Sequence, residues 1–338
     1  MANGGFIGKR LVPTITSAKG VWTTNELYHA RLDGIWTLLV AEVVTDFLII
    51  GGGGGGGSGS PSAQSGGGAG GYLNSYGSEA SGRNSTSLST LTLEIFTNYA
   101  VTIGAGGAIN TDGSNTSLTG TDVNGGSVSL TAIGGGRGGG YGSSQSAGGG
   151  NNGGSGGGGG DATSYGWVYG GSTIWTPGTG TSNQGFDGGA AKAEAGNVRF
   201  CEVMGASYCD YGTSAGGGGG GAGSAGTAAD SGGAGGSGLA SSITGSSVTR
   251  AAGGSGRGTE NGNSAAMPTG SGSSSTGGGG EGGSSSNDGG NGIIILRTSS
   301  VFALSNPGGG LTFSTATDGS DNVFSITAGT GNIQFVAA

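Results

Sequence analysis

The chain reads as a mainly β protein: a small antiparallel β-sandwich carrying an inserted bundle of polyglycine-II helices, with a short N-terminal α-helix and a small C-terminal β module. Three observations predict this. All but eleven of the 91 glycines fall between Gly51 and Gly292. Short segments of alternating apolar residues punctuate that region. The forty residues after it are poor in glycine and carry turn dipeptides at regular intervals. The pattern divides the chain into an N-terminal docking segment (1–45), a glycine-rich domain (46–298) and the β module (299–338).

Within 1–45, Thr23-Thr24-Asn25-Glu26 forms a capping box in which the Thr23 hydroxyl and the Glu26 carboxylate satisfy each other's backbone donors. Leu27, Tyr28, Arg31 and Leu32 then share one face, and Gly34 ends the helix. A helix of about ten residues is marginal alone, so Trp22, Leu27, Tyr28 and Trp36 are its candidate docking residues, toward the rest of the chain or toward a partner.

Glycine gives up more backbone freedom on ordering than any other residue and buries no side chain. An ordered glycine-rich region therefore needs an unusual compensation. Collagen is excluded, because it needs a strict three-residue glycine period and abundant proline, and this chain has 5 prolines and uninterrupted runs such as Gly216 to Gly221. Extended glycine helices of polyproline-II geometry remain. They make no internal hydrogen bonds, but without Cβ atoms neighbouring backbones can approach and bond to one another. Gly51 to Gly57 would then span about 22 Å, with Ser, Asn and Thr facing outward.

The strands come next. Leu91, Leu93 and Ile95 alternate, as do Tyr99, Val101 and Ile103, with Asn98 at the break; Val128 and Leu130 form another pair, and Val198, Phe200 and Met204 share one parity. Ile293 to Leu296 is apolar on both faces and should be a central strand. Four more strands are expected in the tail, in VFALS, LTFSTAT, VFSITA and NIQFV, with turns at Asn306-Pro307-Gly308, Asp318-Gly319 and Gly329 to Gly331. That module is too slight to stand alone. It should pack on the sandwich or pair with neighbouring copies.

Several chemistries lack their residues. Three lysines and eight scattered arginines, with a net charge of -8, offer no basic patch for nucleic acid. The only histidine is His29, inside the expected helix, so no base stands beside a nucleophile. Neither an enzyme nor a bound metal or cofactor is expected. GxGxxG recurs by composition alone and carries no information, while GGGGGDATS (Gly156 to Ser164) is an isolated and imperfect match to a calcium-binding nonapeptide. Cys201 and Cys209 leave two readings open, a hairpin disulfide or two isolated thiols. The apolar stretch Trp36 to Ile50 is too short to span a bilayer and contains Glu42 and Asp46. No signal peptide is read at the N-terminus, so synthesis in a cytoplasm is expected.

FLIIGGGGGGGSGS, GGGAGGY, LTLEIFTNYAVTIGAGG, NGGSVSLTAIGGGRGGG, GLASSITGSSVTRAAGGSG and GGNGIIILRT, in that order, resemble the glycine-rich domain of tail fibres and receptor-binding adhesins of tailed bacteriophages. The resemblance implies a virion protein made in the host cytoplasm and, by analogy with such fibres, a homotrimer. It implies two partners: a bacterial surface receptor, saccharide or outer-membrane protein, and other virion proteins at the N-terminal segment. It also implies that loops between glycine runs form the receptor-binding tip. Two segments have suitable residues, one with Tyr165, Trp167, Tyr169 and Trp175 and the other with Tyr208 and Tyr211. Each such side chain offers a large rigid contact with one polar handle. The same aromatics would equally serve to cap the bundle or fill the core. Two other expectations compete with the adhesin: a self-assembling subunit of a capsid decoration, fibre or extracellular filament without a receptor site of its own, and an ice-binding protein. The bulky aromatic segments speak against a flat ice-binding face.

Overall fold

The computed structural model describes residues 42–58, 64–140, 148–160, 175–193, 214–228, 232–260, 263–264, 276–283 and 287–338. The expected N-terminal helix with Trp22, Leu27, Tyr28 and Trp36, and the strand expected at Val198 to Met204, lie outside them. The described residues are mainly β, with almost no helix. In chain order the strands are β1 (Glu42–Ile50), β2 (Tyr72–Asn74), β3 (Leu91–Glu94), β4 (Tyr99–Thr102), β5 (Thr116–Thr121), β6 (Ser127–Ala132), β7 (Lys192–Ala193) and β8 (Ser214–Ala215). They continue with β9 (Leu239–Ser241), β10 (Val248–Arg250), β11 (Gly258–Glu260), β12 (Asn263–Ser264), β13 (Ile293–Ser299), β14 (Phe302–Ser305), β15 (Leu311–Asp318) and β16 (Asp321–Ala337).

Ten strands form one antiparallel sheet with the order β2-β1-β13-β16-β4-β5-β6, to which β3, β14 and β15 attach at the sides. The two-sheet sandwich expected from sequence is thus a single sheet, and its two ends nearly meet. The amide N–H of Gly71, just before β2, donates to the carbonyl of Ile133, just after β6, at 2.7 Å. Gln184 completes the seam. Its backbone carbonyl accepts from Tyr72 N at 3.0 Å, its Oε1 accepts from Ile133 N at 2.9 Å, and its Nε2 donates to Thr131 O at 3.1 Å. One side-chain amide thereby mimics a short piece of strand on the outer edge of β6. Gln184→Leu strands both backbone groups, and we expect it to cost about 1–3 kcal/mol. Fast amide exchange at Ile133 together with a lowered melting temperature would register the loss; an unchanged Ile133 would show the seam to be held elsewhere.

β13 is central as its sequence requires, pairing β1 on one side and β16 on the other. Both of its faces are buried. Ile294 and Leu296 join Phe47, Ile49, Tyr99, Leu118, Phe324 and Phe335 in the larger core. There the rings of Phe324 and Phe335 meet edge to face, 6.2 Å apart. Ile293 and Ile295 join Leu48, Ile50, Tyr72 and Ile243 in a second core, which the glycine-rich insertions cover. Each fully buried residue of this size contributes about 1.5–3 kcal/mol.

The tail departs from expectation at two turns. Asn306-Pro307-Gly308 form a local turn, with Gly309 N on Asn306 O at 3.1 Å, yet β14 and β15 on either side of it run in the same direction along β16. Gly329 to Gly331 do not reverse the chain, and the two segments around them are one 17-residue strand. β16 changes partners along its length: residues 321–326 lie between β13 and β15, 330–333 pair β4, and 334–337 pair β14. Gly329, at φ 101, bends the strand where the partners change. The tail is therefore woven into the same sheet.

Beyond Ile50 the chain leaves strand geometry. Along Gly51–Gly57 successive N–H groups address three neighbours in turn and return to the first after three residues. Gly51, Gly54 and Gly57 donate to Gly71, Gly68 and Ser65; Gly52 and Gly55 to Ser114 and Thr111; Gly53 and Gly56 to Gly290 and Asn287. The carbonyls address three more segments. Gly52 and Gly55 accept from Gly135 and Gly138, Gly53 and Gly56 from Gly107 and Asn110, and Gly54 and Gly57 from Gly280 and Gly283. Partner numbers fall along the first three segments and rise along the second three, so the former run antiparallel to Gly51–Gly57 and the latter parallel. The same period governs Gly66–Gly71, which donates to Gly217 and Gly220, to Gly280 and Gly277, and to Gly136 and Ile133. Every N–H of Gly51–Gly57 and of Gly66–Gly71 is in this way paired without sheet or α-helix.

Candidate functional site

The spacing between runs leaves no room for side chains. A Cβ on Gly67 would fall on the carbonyls of Gly54 and Gly55, one on Gly55 on the carbonyls of Ala108 and Gly107, and one on Gly219 on that of Gly67. At the exposed margin of the array, side-chain oxygens take the N–H groups instead. Gly106 N donates to Asn291 Oδ1 at 2.9 Å, Ile109 N to Asp288 Oδ1 at 3.1 Å, Arg137 N to Asp112 Oδ1 at 2.8 Å and Thr179 N to Asn152 Oδ1 at 2.8 Å. Asn152 and Asn291 are exposed, as expected of asparagine beside the runs, and together with Asp112 and Asp288 they close the rim. The signal was present as Asn and Asp scattered beside glycine, but which N–H each would meet depends on neighbours far along the chain.

The array has two ends. At one, Gly51, Gly71, Ile133 and Gly292 adjoin β1, β2, β6 and β13. At the other, Gly57 N bonds Ser65 O, Ser65 N bonds Gly139 O, Gly139 N bonds Gly158 O and Gly160 N bonds Gly148 O. Gly160 and Trp175, which flank 161–174, stand at this second end, with Trp175 N 3.3 Å from Gly160 O. The flanks of 194–213 are β7 and β8, which pair with each other and lead from and into the runs that hold Gly189 and Gly217. Those glycines bond Gly159 from either side. Both aromatic segments are therefore bounded at the end of the array away from the main sheet.

Of the candidate contact residues, Tyr165, Trp167, Tyr169, Tyr208 and Tyr211 lie outside the described residues, as do Cys201 and Cys209. Trp175 is half-buried, and its indole lies so close over Gly148 that a Cβ there would strike the ring. Its Nε1 is buried with no hydrogen-bond partner among the described residues. In this position Trp175 covers glycine backbone.

Two arginines that sequence reasoning passed over join segments far apart along the chain. Arg83, in the left-handed region at φ 58, donates through Nη1 to Gly185 O at 3.1 Å and to Asp187 Oδ1 at 3.2 Å, and its guanidinium lies 5.1 Å from the Phe186 ring centre. Its own N–H bonds Ala222 O. Arg297, on β13, is more deeply held, with 11% of its side chain exposed. Nη1 reaches Asp318 Oδ2 at 2.8 Å and Ile243 O at 3.2 Å, Nε reaches Asp321 Oδ2 at 2.9 Å, and the Tyr76 ring centre is 5.3 Å from the guanidinium. Burial works against its charge, and the hydrogen bonds to Asp318 and Asp321 overcome that, holding its pKa above the usual range. Asp46 sits in the same neighbourhood. Burial pushes its carboxyl up, against the opposing pull of the Ser75 hydroxyl and the Arg297 charge.

Among the described residues no three His, Cys, Asp or Glu side chains cluster as metal ligands. No helix among them is long and apolar enough to cross a membrane. A nearly closed antiparallel sheet with glycine runs looped out between its strands defines a glycine-rich β domain. The chain belongs to the glycine-rich domain family, whose model matches residues 33–299. No curated protein and no solved structure matches it significantly.

Proposed function

We propose that the glycine runs are polyglycine-II helices packed as a bundle, and that the protein is a non-enzymatic virion component of a tailed bacteriophage. In this reading it is a tail fibre or tip adhesin that binds a bacterial surface receptor through aromatic loops. The bundle is the spacer, the main sheet its base, and 161–174 and 194–213 carry the contact. The period of three in the hydrogen bonds, with six neighbours around Gly51–Gly57, supports the helix assignment. The observation that carries the functional reading is the placement of the flanks of both aromatic segments at the end of the array away from the sheet. Loops set on a rigid scaffold are where binding residues concentrate.

Labelled full-length protein applied to intact bacteria, on a panel spanning the major envelope types, tests this. Saturable binding to a subset of strains is expected. Trp167→Ala and Tyr208→Ala should weaken it at least tenfold while leaving the melting temperature unchanged. Trp175→Ala belongs apart, because its indole covers Gly148 and its loss should lower stability too. Binding to no strain, or binding indifferent to Trp167 and Tyr208, would remove the adhesin reading.

A further inference from the structure

The edges of the main sheet are blunted in different ways. β2 and β6 meet at Gln184. β14 has four residues and runs into Asn306-Pro307, and β3 has four and is soon followed by Phe96, whose φ of 58 breaks strand geometry. Short length, proline and local distortion all discourage pairing with a foreign strand. β15 is neither short nor interrupted by proline, and the one register shift in its ladder with β16 falls at its start, between Thr312 and Phe313, leaving Phe313–Asp318 in regular register. It is eight residues long, and among the described residues it pairs only with β16. From Leu311 to Thr317 it carries no charge, no proline and no glycine, and Thr312, Ser314, Thr315, Ala316 and Thr317 are exposed. Its composition favours strand. In an antiparallel ladder alternate residues aim N–H and C=O away from the partner, so the outer edge of β15 presents a row of backbone donors and acceptors.

We propose that β15 is an assembly edge, which pairs antiparallel with β15 of a second copy of this chain about a two-fold axis. Such pairing is independent of receptor binding. Three features select a second copy as the occupant. An inverted copy of the same strand matches the edge donor for acceptor, as an isologous contact requires. The chain carries a net charge of -8, which keeps copies apart except at a surface free of charge, and Leu311–Thr317 is such a surface. The one charge on the strand, Asp318, is held 2.8 Å from Arg297. Pairing centred on Thr315 sets Thr315 against its own copy and Asp318 against Thr312 of the other copy, so no two carboxylates meet. A three-fold axis cannot lay this edge against itself.

The test is a charge swap in the full chain, read by sedimentation velocity at micromolar concentration. Native protein should sediment as a dimer of the 31.6 kDa chain. Thr315→Lys and Thr315→Glu each place like charges beside the axis, and each should weaken self-association at least tenfold. An equimolar mixture of the two, one carrying a mass tag, should regain a dimer with one copy of each. That rescue separates a lost interface from a lost fold. A native chain that is monomeric or trimeric, single variants that dimerise like the native chain, or a mixture that stays monomeric would each overturn the proposal.

Discussion

Gly67→Ala should unfold the glycine array or leave it standing only well below the native melting temperature. The added methyl has nowhere to go: it meets the carbonyls of Gly54 and Gly55, and both belong to a backbone already bonded on every side. Overpacking a well-filled interior costs about 1–3 kcal/mol and sometimes more. Here the obstacle is main chain with no rotamer to yield, so the cost should reach about 3 kcal/mol or above. Gly77→Ala is the control. Gly77 has φ 57, and no atom lies within 4 Å of the place its methyl would take, so it tests backbone conformation alone, at about 1 kcal/mol. Thermal melts of the two variants, with amide exchange at Gly54 and Gly280, decide the matter. Equal losses would mean that the runs are not in backbone contact.

Arg297→Ala should be damaging for a different reason. It removes the cation between Asp318 and Asp321, the donor to Ile243 O and the partner of the Tyr76 ring. Losing hydrogen bonds to a charged group costs about 1.5–3 kcal/mol. The carboxylates left behind are 45% and 33% exposed and stay partly hydrated, which keeps the loss below that of breaking a fully buried pair. Arg297→Lys should recover little, since one ammonium cannot serve Nε and Nη1 positions together. The loss should also depend on pH. Asp46 is raised in the folded protein by burial, and removing Arg297 takes away a charge that opposes the rise. A carboxyl whose pKa is higher folded than unfolded favours folding as pH falls into the interval between the two values. The deficit of Arg297→Ala should therefore narrow on acidification from neutral pH toward the carboxylate range. Denaturant midpoints measured across that range would show it. A deficit that widens instead would mean that Asp46 is not coupled to Arg297.

The two sites differ in how far sequence could reach them. Ile293 to Leu296 announced a central strand because apolar residues on both faces have no other place. Asn306-Pro307-Gly308 and Asp318-Gly319 announced turns because their residues suit turn geometry. β5 gave no such notice, since TSLTGT lacks an apolar alternation and is strand only because β4 and β6 lie on either side. The glycines of 329–331 suggested a turn, yet β4 and β14 extend the ladder past them. Gln184 looked like any loop glutamine, and its role exists only because β2 and β6 arrive on both sides of it.

What the residues alone determined was local: that the long glycine runs must repay their entropy through backbone contact, and that apolar strands stand between them. Only the tertiary structure decided which runs are neighbours, which Asn or Asp closes which N–H, and which distant segments Arg83 and Arg297 join. The reason is physical. A glycine has no side chain to tell one partner from another, so the identity of its neighbours is set by the strands that begin and end each run.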